Sequence, residues 1–303
     1  MTSSEAYAGL LRDLESFFEP LPDKPEETPL TVLRSLWLFA AGRPVPVARA
    51  GSFELPDLTS PQLDLLQSLL RRKQEGVPLA HLTGRQEFLG LELLAGPEAL
   101  IPRRETEIVG RAAIAKLQEM ALSADALTAI DVCTGSGNLA LAFAFHVPKV
   151  RVYASDLSGP AVGLARRNAE FTGLLNRVDF REGDFLDPFK TPDLIGRCDL
   201  VCCNPPYISG AKVSKMHREI SGHEPSLAFD GGPFGVSLLL RLLKEGPTLL
   251  KPGGFLCFEV GLGQGPSLQK QAERLPWVSR VEPQADSAGA IRALVVARSA
   301  SSP

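Results

Sequence analysis

Apolar positions follow helical spacing through the first part of the chain and gather into short strand-like runs after it. Ala8 to Phe18 and Leu30 to Ala41, the latter with Trp37, predict two amphipathic helices. Pro20 to Pro29 contains four prolines and predicts a loop between them. Pro44 to Pro61 predicts a second irregular stretch. Leu63 to Lys73 predicts a third helix, with Leu63, Leu66, Leu69 and Leu70 on one stripe. Arg71-Arg72-Lys73 closes it and reads as a solvated helix end, where the macrodipole favours cations. Over residues 80–101, Gly84, Gly90 and Gly96 punctuate the apolar runs Phe88-Leu89 and Leu91 to Leu94. That pattern predicts a β-hairpin joining two domains.

Beyond it strands and helices alternate. A helix over Arg103 to Leu122 leads to a strand over Thr128 to Cys133 and a helix from Asn138. Strands follow at Arg151 to Asp156, Val178 to Asp184, Asp199 to Asn204 and Gly254 to Val260. The helices between and after them are Pro160 to Phe171, Gly235 to Leu250 and Ser267 to Leu275. Such alternation predicts an α/β fold with a mostly parallel sheet wrapped by helices. The last two strands, Val278 to Glu282 and Ala293 to Ala297, have too little chain between them for a crossover helix, so antiparallel pairing is expected there. The organisation expected is a helical domain over 1–80, a linking hairpin over 81–101 and an α/β domain over 102–303.

Composition narrows the class. The chain has 303 residues, 44% hydrophobic and 22% charged, ordinary for a globular protein. A formal net charge of −3 argues against a protein whose main task is gripping nucleic-acid backbone. No run is long enough for a transmembrane helix. The acidic N-terminus resembles neither a secretory signal nor an Arg-rich transit peptide, so a cytoplasmic protein is expected. Cys133, Cys198, Cys202, Cys203 and Cys257 form no C-x-x-C pair and read as small buried hydrophobes in a reducing compartment. The four histidines lack metal-ligand spacing, so no structural metal is expected.

The candidate chemistry sits at strand ends. Asp131-Val132-Cys133-Thr134-Gly135-Ser136-Gly137 leaves one strand and enters a helix, and its glycines let backbone approach a ligand closely. Asp156 ends the next strand, where a carboxylate suits a ribose diol. Asp184 and Phe185 end the third, suited to an adenine amino group and an adenine face. Gly135-x-Gly137-x-x-Ala140 alone also fits a dinucleotide fingerprint, so a dehydrogenase is an alternative on that motif. At the fourth strand end stands Asn204-Pro205-Pro206-Tyr207. Two prolines stiffen the turn and remove two donors. The Asn204 amide, the free carbonyls and the Tyr207 ring suit a planar –NH2 group. That task fits S-adenosylmethionine (AdoMet) chemistry better than hydride transfer. The cofactor residues expected are Asp131, Cys133, Thr134, Gly135, Ser136, Gly137, Asp156, Asp184, Phe185 and Asn204; the catalytic ones are Asn204, Pro205, Pro206 and Tyr207.

Over residues 70–298 the chain resembles the HemK/PrmC-type glutamine-amide methyltransferases. The resemblance rests on Gly76 to Gly84, Glu87 to Leu91, Ile101-Pro102-Arg103-Arg104-Glu105-Thr106-Glu107, the glycine loop, Asn204 to Ile208, His223-Glu224-Pro225 and Ala228 to Gly232. It implies a Rossmann-like AdoMet-dependent methyltransferase sheet with an antiparallel last strand. It also implies transfer to a glutamine side chain of a protein, such as the Gly-Gly-Gln loop of a release factor, with a ribosomal protein as the alternative target. Departures are Arg104, where most of the family has proline, and Cys133, in place of the usual first glycine of the loop. The first 60 residues match no family pattern, although that region serves substrate recognition in the family. Glu105 and Glu107 suit either a helix N-terminus or substrate contact. Two further alternatives are a nucleic-acid amino methyltransferase, which must flip its base, and a non-enzymatic AdoMet-binding module. The partner expected is a protein, with no membrane and no stable nucleic-acid binding.

Overall fold

The computed structural model describes residues 3–21, 23–206, 224–225 and 236–300. Three helices build the N-terminal part: α1 (Ser3–Glu15), α2 (Pro29–Ala40) and α3 (Ser60–Gln74). Thr28 and Thr59 start α2 and α3 with capping boxes, each followed by a proline in the first turn where its missing N–H costs nothing. Leu14, Leu33, Leu36, Trp37, Leu66 and Leu69 meet in one core, joined by Leu79 and Leu82 of the short α4 (Leu79–Thr83). The Arg71-Arg72-Lys73 end is solvated only in part. Arg71 and Arg72 are exposed, but Lys73 is buried and pairs at 3.1 Å with buried Glu27. Taking two charges out of water is tolerable only because each has the other.

The hairpin forms as β1 (Arg85–Phe88) and β2 (Leu91–Leu94), paired antiparallel. Its apolar side chains Phe88, Leu89, Leu91 and Leu93 enter the core of the α/β part, against Val109 and Ala113 of α5 (Thr106–Ala121). Arg49, from a 3-10 turn of the N-terminal part, bonds Glu87 at 2.5 Å and the Gly90 carbonyl at 3.0 Å.

The α/β part contributes β3 (Leu127–Val132), α6 (Asn138–His146), β4 (Val150–Asp156), α7 (Gly159–Phe171), β5 (Val178–Glu182) and β6 (Cys198–Cys203). α8 (Ser237–Glu245), β7 (Leu250–Glu259), α9 (Gly265–Ala272), β8 (Val278–Ala285) and β9 (Ile291–Arg298) complete it. The sheet order is β5-β4-β3-β6-β7-β9-β8. Pairings from β5 to β7 are parallel, while β9 runs antiparallel to both β7 and β8. The last strand thus inserts between its two predecessors, which satisfies the short connection. β6 (Cys-Asp-Leu-Val-Cys-Cys) is buried along its whole length, as an inner strand covered on both faces must be, and its one charged residue, Asp199, accepts from Thr128 N at 2.7 Å and pairs with Lys251. Cys198, Cys202 and Cys203 on β6 and Cys257 on β7 are buried and unbridged, as read from the sequence, whereas Cys133 departs from that reading in being only partly buried.

Two boundaries differ from the pattern. The helix expected over 235–250 is described only from Ser237 and ends at Glu245, giving way to a 3-10 turn at Gly246–Thr248. Pro247 cannot continue an α-helix. The strand expected to reach Asp184 stops at Glu182, and Phe185 then takes φ +52°. Among the described residues no helix is long and apolar enough to cross a membrane.

Candidate active site

The sheet order reverses between β3 and β6, and the carboxyl ends of these strands open onto a cavity of about 210 Å³. This is where open α/β sheets place their ligands. Cys133, Thr134, Gly135 and Ser136 line it from the end of β3, Asp156 from β4, Asp184 and Phe185 from beyond β5, and Asn204 and Pro206 from beyond β6. Residues expected from four separate strand ends therefore converge on one space. Pro102, Arg103, Thr106 and Pro225 also line it.

The loop after β3 is held in an unusual backbone. Cys133 has φ +59°, Gly135 +54° and Gly137 +82°. A left-handed conformation at Cys133 explains why glycine is the easier residue there. Asp156 braces the loop: one carboxylate oxygen accepts from Gly135 N at 2.8 Å, the other from Ser158 N at 2.9 Å. Burial pushes the Asp156 carboxyl up, and the backbone N–H groups of Ser158, Gly135 and Leu157 partly offset this. Each oxygen keeps a lone pair for a ligand hydroxyl.

Four expected residues depart from their assigned places. Asp131 does not reach the cavity. It lies fully buried under the loop, where one oxygen accepts from Thr134 Oγ1 at 2.6 Å and Ala140 N at 3.1 Å. Burial raises its carboxyl to about 7; those two bonds pull it down and the Asp156 charge pushes it up. Gly137 is buried against α7, where a Cβ would stand 3.1 Å from Ala165 Cβ, so glycine serves packing. Pro205 is buried and absent from the cavity wall. Asp184 lines the wall, but its exposed carboxylate is taken by Arg241 at 2.7 Å, and the same guanidinium lies 5.0 Å from the Phe185 ring centroid. Tyr207, with His223 and Ala228 to Gly232, lies outside the described residues.

The partners of several motif residues near the cavity, and the place of Asn168, were not legible in the sequence. Asn204 Nδ2 donates to Thr106 Oγ1 at 3.1 Å, a pairing across 98 positions. Thr106 sits between Glu105 and Glu107, and a lone threonine between two acids carries no sequence signal of its own. Glu107 turns to the hairpin, accepting from Leu89 N at 3.3 Å and pairing with Arg111 at 2.7 Å. Arg103 bonds the buried Glu224 carboxylate, which also accepts from Ile101 N at 3.0 Å, and pairs with Asp23 at 3.4 Å. Burial raises the Glu224 carboxyl, with Arg103 opposing. Arg104, the departure from proline, meets Glu26 at 3.0 Å. Asn168, fully buried on α7, ties Ser136 O at 3.0 Å to both backbone groups of Leu94.

The wall suits AdoMet. Ser136 Oγ is buried on it without a hydrogen-bond partner among the described residues, and the left-handed Gly135 leaves a cradle with Ala99 Cβ 4.0 Å from a built Cβ. An acid at Asp156, an aromatic at Phe185 and an open backbone loop are groups that would fit an adenosyl ligand. Among the described residues no cluster of His, Cys, Asp and Glu has the geometry to hold a metal.

Comparisons with known proteins agree. A family model described as "Methyltransferase domain" matches residues 129–223. The release factor glutamine methyltransferase of Moorella thermoacetica is 37% identical over 227 residues, 75% of this chain and 77% of the relative. That of Streptomyces coelicolor is 40% identical over 210 residues, 69% of each. Among solved structures, the N-terminal domain of human METTL16 in complex with SAH superposes with a TM-score of 0.50 at 15% identity, covering 71% of this chain and 77% of that one. At that identity it speaks for the fold alone. The sheet with its inserted antiparallel strand, the cavity at its strand ends and the two bacterial relatives lead to one conclusion: this chain belongs to the release factor glutamine methyltransferase family, AdoMet-dependent enzymes on a Rossmann-like sheet.

Proposed function

We propose that this chain methylates the side-chain amide nitrogen of a glutamine presented by a protein, with the Gly-Gly-Gln loop of a peptide chain release factor as its target. The observation that carries the reading is the shared cavity: Asn204 and Pro206 face the same space as Asp156 and the Gly135 loop. A nitrogen held at Asn204 and an adenosyl ligand held at Asp156 would therefore meet.

An amide nitrogen is a poor nucleophile because its lone pair is delocalised into the carbonyl. The protein's task is then orientation. Bound AdoMet supplies the methyl group on a sulfonium that is already a good leaving group. Asn204 Oδ1 and the Pro205 carbonyl each accept one amide hydrogen, aiming the nitrogen; Pro205 acts through its backbone from a buried position. Such positioning is worth about 7–11 kcal/mol at best. Acceptors on the –NH2 group also stabilise positive charge growing on nitrogen. One amide hydrogen then leaves as a proton to solvent. Pro206 stiffens the turn, and an aromatic ring next in sequence, Tyr207, suits a glutamine side chain. Thr134, Gly135, Ser136, Asp156 and Phe185 would hold the cofactor, while the Asp184 carboxylate, engaged by Arg241, shapes that wall.

The helical part, residues 1–80, serves recognition of the protein substrate, in a cytoplasmic setting that such a substrate demands. Its acids Asp23 and Glu26 pair with Arg103, which lines the cavity, and with the neighbouring Arg104, so this part lies directly against the cavity rim. The test is methyl transfer from labelled AdoMet to a purified release factor, a ribosomal protein fraction and DNA, run side by side. Label in the release factor at its Gly-Gly-Gln glutamine is expected. Label only in the ribosomal fraction or in DNA would overturn the reading in favour of that substrate.

A further inference from the structure

We propose that Thr106 is a positioning residue for methyl transfer: its hydroxyl accepts from Asn204 Nδ2 and holds the amide in the orientation that leaves Oδ1 for the nucleophile. This rests on the glutamine-amide reading above and names the device that gives Asn204 its polarity.

A primary amide carries an acceptor at one end and two donors at the other. Its two ends are nearly equal in size, so packing alone cannot tell them apart. Only the hydrogen-bond network decides which end points where. For a substrate –NH2 the difference is decisive. With Oδ1 forward, Asn204 accepts a substrate hydrogen. With Nδ2 forward, two donors face each other and the nucleophile is repelled.

Asn204 leaves β6 at the edge of the cavity, half-buried. Its Nδ2 donates to Thr106 Oγ1 at 3.1 Å. Thr106 itself is 2% exposed and forms the first residue of α5. Its position is well fixed. Gly110, one turn further along α5, packs so tightly that a Cβ there would meet Leu89 Cδ1 at 2.7 Å and Leu139 Cδ2 at 3.1 Å. Val109 and Ala113 on the same helix are fully buried in the central core. Glu107, the next residue, is tied to the hairpin through Leu89 N. The hydroxyl thus stands on a rigid helix end, is shielded from water, and occupies one end of the catalytic amide. Both residues line the cavity, so nothing else is needed between them.

The hydroxyl does not touch the reacting atoms. It acts through Asn204, and the experiment is built on that difference. Thr106→Val keeps the shape and removes the hydroxyl; Thr106→Ser keeps the hydroxyl and removes the methyl. Single-turnover and steady-state methyl transfer to a release factor are measured with calorimetric AdoMet affinity and melting temperature. Thr106→Val is expected to lower kcat on the order of tenfold, the worth of one buried neutral hydrogen bond. AdoMet affinity should stay within about twofold, and Thr106→Ser should restore most of kcat. In the Asn204→Ala background, Thr106→Val should have no further effect, because no amide remains to be oriented.

Equal kcat for wild type and Thr106→Val would overturn the proposal. So would a loss in the double variant as large as in the single one, since Thr106 would then act on stability or cofactor binding instead. If Thr106→Val does not fold, Thr106→Ser against Thr106→Ala supplies the same comparison. An inactive wild type with intact AdoMet binding would instead sink the glutamine reading, leaving the two failures distinct.

Discussion

Replacing Asp156 by alanine tests the site where its geometry is most explicit. The carboxylate is half-buried at the cavity wall and already accepts from Gly135 N at 2.8 Å and Ser158 N at 2.9 Å. The remaining lone pairs are the natural acceptors of two ribose hydroxyls. Hydrogen bonds to a charged group contribute about 1.5–3 kcal/mol each. Losing two of them costs about 3–6 kcal/mol of binding, or roughly a hundredfold to ten-thousandfold in Kd at 1.4 kcal/mol per decade. The variant also frees the Gly135 and Ser158 N–H groups, so a lower melting temperature is expected. Asp156→Asn retains a single oxygen and should fall between wild type and alanine. Because burial holds this carboxyl above the usual range, it takes up a proton at higher pH than a solvated aspartate does. AdoMet affinity should therefore weaken, as pH falls, earlier than a free aspartate would dictate. The assay is titration calorimetry with AdoMet across pH, with melting curves on the same samples and NADH as a control ligand that should not bind. A Kd for Asp156→Ala within threefold of wild type would refute the ribose assignment.

Asn204→Ala should reduce methyl transfer more than a hundredfold while AdoMet affinity changes little; near-normal turnover would remove the orientation mechanism. Asp131→Asn keeps one oxygen in place for Thr134 and Ala140 and should leave AdoMet binding within a few-fold. Its carboxyl rises from 3.8 to about 7 in the fold, so the neutral form is the favoured one. The stability this confers is complete below pH 3.8 and is lost as pH rises to about 7, on the order of 4 kcal/mol at most. Wild type should thus lose stability relative to Asp131→Asn across that window, measured by denaturant titration, and a flat difference would contradict the burial argument. Deleting residues 1–70 strips Lys73, Arg103 and Arg104 of Glu27, Asp23 and Glu26 and bares Leu79 and Leu82. The truncated chain should melt lower, still bind AdoMet, lose activity on an intact release factor and keep weak activity on a short glutamine peptide. Undiminished activity on the whole protein would remove the recognition role of the N-terminal part.

The sequence by itself determined the layers, the strand ends and the chemistry placed on them. Strand and helix periods are local properties, and so is the requirement for glycine or a strained residue where Cys133, Gly135 and Gly137 turn. The stiff Asn-Pro-Pro turn after the buried run ending at Cys203 is equally local. Tertiary structure alone decided which of these residues reach the ligand. Asp131 and Asp156 both sit at strand ends, but Asp131 is drawn under the loop by Thr134 and Ala140 while Asp156 remains on the wall. Lys73 looked like its solvated neighbours until the fold brought Glu27 against it. Asp184 met Arg241, and Asn204 met Thr106, across separations of 57 and 98 positions. A side-chain hydrogen bond leaves no periodic signal in a single chain. Its partners are set by which elements the core brings together, and that is decided only when the hairpin, α5 and β6 pack as one body.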